Sequence, residues 1–108
     1  MLINKTLIIE KLFLTLRELR KPKSVEVLQC LVESDKALCV KDMMAITGMP
    51  SNIIAQYLKA NLKCGAIELV TDITLDKRFR YYQATRLLLE VINLIEGFDQ
   101  DLITQQNS

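Results

Sequence analysis

Between Ala37 and Thr85 the sequence is punctuated at short intervals by residues that start and stop helices. Leu38, Cys39 and Val40 make a short extended segment leading to a helix over roughly Lys41–Thr47. Gly48 is placed to end that helix in a left-handed conformation, and Pro50 to restart the chain. The next helix is expected over about Ser51–Cys64, with Gly65 as its stop. Ile54, Leu58 and Leu62 recur every fourth residue, flanked by Ile53 and Tyr57, and mark its buried side. Ser51, Asn52, Gln56, Lys59 and Lys63 fall largely on the other side. A strand is expected over Ile67–Ile73, with Ile67, Leu69 and Ile73 on one face and Glu68 and Asp72 on the other. Thr74–Lys77 then turns the chain. Arg78–Gln83 returns with Phe79 and Tyr81 alternating against Arg78 and Arg80.

Short strand, helix, tight turn, helix and hairpin is the order of a winged helix-turn-helix. The fold expected is therefore mainly α with a small β-hairpin, one domain over residues 1–108, with residues 37–85 as its centre. Before that centre, Asn4 is read as the cap of a first helix running to about Arg20, where Pro22 prevents its continuation. Ser24 is read as the cap of a second, carrying Val27, Leu28, Leu31 and Val32, and Ser34–Lys36 as a polar break. Beyond it, Thr85 caps a last helix through about Phe98, fraying on to Ile103. Thr104–Ser108 is polar and expected to be disordered.

The first and last helices, residues 1–20 and 86–103, are apolar on more than the single stripe a monomer surface requires. Burying a few hundred Å2 from each of two copies would contribute roughly 10 kcal/mol before association costs, at about 25 cal/mol per Å2. A homodimer through Leu12, Leu16, Leu88, Val91, Ile92 and Ile95 follows as the expectation.

Composition excludes more than it selects. The chain is half hydrophobic, and no apolar run approaches bilayer length, since Glu90 and Asn93 interrupt Leu87–Ile95. Lys5, Glu10 and Lys11 break any signal-peptide core, so a cytoplasmic protein without membrane partners is expected. Three cysteines without paired spacing disfavour a disulfide framework. The absence of histidine removes the commonest general base and a favoured zinc or copper ligand. With no phosphate-binding glycine loop and no clustered carboxylate pair, nothing supports catalysis or a cofactor, and Asp72 and Asp76 read as solvated residues beside a hairpin turn. Net charge is only +1, but residues 83–108 carry −3 (Arg86 against Glu90, Glu96, Asp99 and Asp101), leaving +4 on the rest. A basic body with an acidic tail is compatible with a local DNA-facing surface.

On the second helix of the central pair, Ser51, Asn52 and Gln56 are the candidate base readers. Asn and Gln make bidentate contacts to adenine, and Ser exchanges hydrogen bonds with several bases. Lys59 would face phosphates. Lys77, Arg78 and Arg80 would hold the flanking backbone, with strand alternation putting both arginines on one face, away from Phe79 and Tyr81. Arg20, Lys21 and Lys23 read as a solvated connector. Cys39, at a strand-to-helix junction, could sense oxidants if activated by Lys41 or the helix N-terminus, or serve as a small buried hydrophobe.

The runs Leu38-Cys39-Val40-Lys41-Asp42-Met43, Gly48-Met49-Pro50-Ser51, Tyr57-Leu58-Lys59, Cys64-Gly65-Ala66-Ile67 and Arg80-Tyr81-Tyr82 resemble the ArsR-type family of small bacterial and archaeal repressors. The resemblance spans nearly the whole chain and implies a homodimer of five helices and a β-wing that binds operator DNA and is often released by a metal or another inducer. Four departures matter. Metal-sensing relatives flank the valine, here Val40, with two cysteines; Cys39 matches the first, but Lys41 takes the second place, so no metal site is implied. The common Ser-Arg-His of the reading helix is replaced by Ala55-Gln56-Tyr57, implying a different base preference. The wing has no glycine at its tip, where Leu75 would project. Asn61 stands where the family buries leucine, with Leu62 one place later, implying a slight rotation of that helix.

The function expected is a sequence-specific, DNA-binding transcriptional repressor acting as a homodimer on double-stranded DNA. The alternative is a winged-helix protein-interaction module whose apolar terminal helices recruit another chain.

Overall fold

The computed structural model describes residues 2–72 and 74–107, with side chains described over 7–72 and 74–97. Its elements run α1 (Leu2–Glu18), α2 (Pro22–Glu33), α3 (Val40–Thr47), α4 (Ser51–Cys64), β1 (Ile67–Val70), β2 (Tyr81–Ala84) and α5 (Arg86–Asn107). The core lies where α2, α3 and α4 meet the small sheet and α5. Val27, Leu28 and Leu31 pack there with Met43, Ile54, Leu58, Ile67, Tyr82 and Leu88.

Backbone chemistry explains the tight turn between α3 and α4. Gly48 takes φ 75°, and its N–H donates to Met44 O at 2.9 Å. Thr47 Oγ1 donates to Met43 O at 2.7 Å and accepts from the Met49 amide at 3.1 Å. Pro50, extended at φ −70° and ψ 156°, precedes the first residue of α4. At the far end Gly65 sits at φ 83°, with its N–H on Leu62 O and the Ala66 N–H on Asn61 O. Both glycines do what the sequence predicts, because only a residue without Cβ enters the left-handed region at no cost.

The sheet is a single antiparallel pair, Ile67 opposite Ala84 through Val70 opposite Tyr81. Leu38 adds an isolated bridge, exchanging two backbone hydrogen bonds with Tyr82 at 2.8 and 2.9 Å. Both strands are shorter than expected. β1 ends at Val70, and Ile73, its expected end, lies outside the described residues. Arg78, Phe79 and Arg80 precede β2 and belong to the loop. The extended stretch at Leu38–Val40 is likewise only the Leu38 bridge, since Val40 already begins α3.

Helix starts differ too. Asn4 lies within α1. Ser24 lies in the first turn of α2, which begins at Pro22 with Lys21 as its cap residue, so Ser24 caps nothing and is buried. Thr85 does cap α5, accepting from the Leu88 amide at 3.4 Å while its hydroxyl donates to Gly65 O at 2.6 Å. That helix continues to Asn107, into the stretch expected to be disordered, whose last residue, Ser108, lies outside those described. Side chains at Phe98 and beyond lie outside those described. Among the described residues no helix is long and apolar enough to cross a membrane.

Candidate nucleic-acid interface

Ser51, Asn52, Ala55, Gln56, Lys59 and Lys63 are all exposed on α4, whereas Ile54, Leu58 and Asn61 are buried on its opposite side. Asn52, Gln56, Lys59 and Lys63 follow one another at four- and three-residue steps, the spacing of one helix face. Two amides therefore stand on the N-terminal half of the helix and two ammonium groups on the C-terminal half. The four-residue row Ile54–Leu58–Leu62 is not the buried stripe. Leu62 is only half-buried, and Asn61 takes the inner place.

Asn61 is the residue sequence reasoning missed as a structural element. Its Nδ2 donates to Ser24 Oγ at 3.0 Å and to Tyr57 O at 2.8 Å. Ser24 Oγ donates in turn to Glu18 Oε2 at 3.2 Å, and Lys21 Nζ meets Glu18 Oε1 at 3.0 Å. Thr15 completes the buried polar set, with its hydroxyl 3.6 Å from Cys64 Sγ. No buried side-chain nitrogen or oxygen among the described residues lacks a partner. A polar residue at an apolar position was the available signal, since such a residue is kept inside only when hydrogen-bonded.

The wing is organised by aspartates. Asp72 accepts from the Thr74 amide at 2.9 Å and from its hydroxyl at 2.8 Å. Asp76 accepts from the Arg78 amide at 3.0 Å and holds the Arg78 guanidinium at 2.7 Å. These hydrogen bonds hold both carboxyls below the ordinary aspartate range, through the Thr74 amide at Asp72 and the Arg78 side chain at Asp76. Neither is a merely solvated residue. Arg78, whose guanidinium carbon also lies 5.6 Å from the Phe79 ring centre, is thus committed locally, and no strand alternation pairs it with Arg80. Lys77 and Arg80 are exposed and form no ion pair among the described residues, nor do Lys59 and Lys63. Leu75 does not project; it is half-buried and lines a cleft with Phe79 and Tyr81.

Cys39 is a buried capping residue. Asp42 Oδ2 accepts from the Cys39 amide at 3.1 Å and from its Sγ at 3.3 Å, closing the first turn of α3. All three cysteines are buried and unpaired. Among the described residues no cluster of histidine, cysteine or carboxylate side chains could hold a metal. The Cys39 amide, foremost, holds the Asp42 carboxyl below its ordinary range. Its stabilisation of the α3 N-terminus is therefore complete above that range and lost as pH falls through the depressed value. The Cys39 amide proton resonance is expected to titrate below the ordinary aspartate midpoint, and Asp42→Ala to abolish that titration.

The candidate dimer residues divide. Leu88 and Val91 are buried within the chain itself, at 0% and 3% exposure, and offer nothing to a partner. Leu12, Leu16 and Ile92 are half-buried, and Ile95 is exposed. On α1, Glu10, Lys11 and Arg17 are exposed and Leu12 and Leu16 half-buried, as is Leu19 just after it. Thr15 and Glu18 face inward, while Leu7, Ile8, Ile9, Phe13 and Leu14 face outward. On α5, Leu94 is 70% exposed.

No family model matches the chain, and no curated protein matches it in sequence. Solved structures do. A homodimeric winged helix-turn-helix DNA-binding domain from Mycobacterium bovis, described as a possible ArsR-family transcriptional regulator, superposes with TM-score 0.70 at 16% identity. The match covers 94% of this chain and 89% of that one. The chain has the winged helix-turn-helix fold. The MarR family transcription regulator SP03579 shares it at TM-score 0.66 and 18% identity, over 95% of this chain and 67% of that chain. So does an S. aureus MepR mutant bound to an oligodeoxyribonucleotide, at TM-score 0.62 and 16% identity, over 95% and 78%. The resemblance read from sequence is thus met at the level of the fold: in winged-helix terms α3 and α4 are the helix-turn-helix, and β1, β2 and their loop are the wing.

Proposed function

We propose that this chain is a DNA-binding transcription regulator that acts as a homodimer and represses by occupying its operator. The observation that carries the proposal is the outward face of α4, where Asn52 and Gln56 stand exposed beside Lys59 and Lys63 on a helix anchored by Ile54 and Leu58. Ser51, Asn52 and Gln56 read base edges in the major groove. Lys59, Lys77 and Arg80 contact the backbone, and Arg78 joins them through Nη1, the nitrogen that Asp76 does not engage. The M. bovis neighbour is a homodimer and the MepR mutant holds an oligonucleotide, which supports both halves of the proposal. In the dimer, Leu12, Leu16, Ile92 and Ile95 are joined by Leu7, Ile8, Phe13 and Leu94, and two copies of α4 address half-sites about 34–36 Å apart.

Selection of bound sequences from a random duplex library tests this directly. A two-fold-symmetric consensus is expected. A homodimer that selects no duplex would instead establish the protein-interaction alternative. Arg80→Ala is expected to weaken binding to all sequences alike and to reduce the slope of log affinity against log salt by about 1. A change in base preference would place Arg80 among the readers.

A further inference from the structure

The buried polar relay joins α1, α2 and α4, and it meets α4 on the side opposite the reading face. Apolar packing alone leaves the rotation of α4 about its own axis weakly determined. Its sequence offers two inner stripes, Ile54–Leu58–Asn61 and Ile54–Leu58–Leu62. At 3.6 residues per turn the centres of these stripes differ by about 30°, which moves side-chain tips at a radius of about 5–6 Å by about 3 Å. Asn52 and Gln56 would be displaced by that amount. Base-edge contacts need placement within about 0.5 Å. The structure uses the first stripe, with Asn61 fully buried and both hydrogens of its Nδ2 engaged, one by Ser24 Oγ and one by Tyr57 O. The Ser24 bond reaches a different helix and is directional, whereas leucine packing is not. Glu18, accepting from Ser24 and Lys21, ties the same relay to α1, the helix whose outer face is apolar.

We propose that Asn61, held by Ser24 and through it by Glu18, is a positioning residue that fixes the rotation of α4 relative to α1, so that discrimination between DNA sequences depends on it more than folding does. The inference rests on α4 being the reader and deepens that reading. With leucine at both 61 and 62 the two stripes are equally apolar, and in place of the Asn61 bonds only the longer Thr15–Cys64 contact at 3.6 Å is left to choose between them. Asn61→Leu is therefore expected to keep the helical circular dichroism and a cooperative thermal transition. Its affinity for random duplex and its salt slope should also match the wild type, because Lys59, Lys77 and Arg80 still reach phosphates. The ratio of selected-site to random-duplex affinity is expected to fall at least about tenfold, the loss of one bidentate contact or more. Ser24→Ala, which removes one oxygen and breaks the relay from the other end, is expected to lower the same ratio. The double variant should lose little beyond the larger single loss, since both changes cut one relay.

Wild-type discrimination in both single variants would overturn the inference while leaving the reader assignment intact. Should Asn61→Leu not fold, Ser24→Ala decides, and an unchanged ratio in it overturns the proposal. A wild-type chain that selects no duplex at all would overturn the regulator reading and this inference with it.

Discussion

Phe13→Asp is expected to leave a folded monomer whose affinity for the selected duplex is lower by about a hundredfold or more. Phe13 is 66% exposed on α1, where Leu7, Ile8, Ile9 and Leu14 are exposed as well, whereas the buried residues among those described on that helix are Thr15 and Glu18. An exposed apolar group of this size on one short helix marks a surface that another molecule covers. In the proposed dimer an aromatic ring buries about 150–250 Å2, and an aspartate at the same place would put an unpaired carboxylate into apolar surroundings. The ring contributes little to the chain's own core, so the monomer is expected to keep its thermal transition. Pairing makes the second half-site contact intramolecular, an advantage of about 100- to 10,000-fold that the monomer forfeits. Light scattering at micromolar concentration and titration of the selected duplex read the two effects separately. Phe13→Leu should preserve both. A Phe13→Asp dimer of undiminished affinity would place the interface elsewhere.

The helix-turn-helix was legible because each of its boundaries has a local chemical cause. Gly48, Pro50 and Gly65 act through their own φ angles, and the α4 faces through residue spacing. The wing was less legible. Alternation of Arg78, Phe79, Arg80 and Tyr81 resembles a strand, but the Arg78 amide donates to Asp76, and the pairing of β1 with β2 ends at Val70 and Tyr81. An aspartate two residues ahead of a backbone amide competes with the sheet for it, and composition alone does not show which partner wins. Terminal helices posed a different difficulty. Where leucine and isoleucine surround a helix, sequence does not reveal which of them face inward, and Leu88 and Val91, expected at a dimer interface, are core residues. Asn61 shows how far a partner can lie along the chain. Its partner Ser24 lies 37 residues earlier, and without that hydroxyl the residue reads as a displacement of the apolar row.

Gln56→Ala is expected to relax preference at one base pair in each half-site, at a cost of roughly 1–3 kcal/mol per half-site. Two-fold symmetry doubles this to roughly 2–6 kcal/mol on a palindromic operator. Gln56 lies in the second turn of α4, exposed, with Asn52 one turn before it and Lys59 one turn after. Alanine is the strongest helix former, so α4 itself is not weakened by the change. What disappears is a side chain whose amide N–H can donate to N7 while its carbonyl oxygen accepts from the N6 amino group of one adenine. Affinities measured for the selected duplex and for each of its single-base variants should therefore differ at one symmetric pair of positions and coincide at the others, with the salt slope unchanged. A uniform loss across all duplexes, accompanied by a shallower slope, would put Gln56 on the backbone and shift base reading towards Ser51 and Asn52. That outcome would also move the axis of α4 relative to the groove, because a residue in its second turn contacts phosphate only when the helix N-terminus does not point into the base pairs.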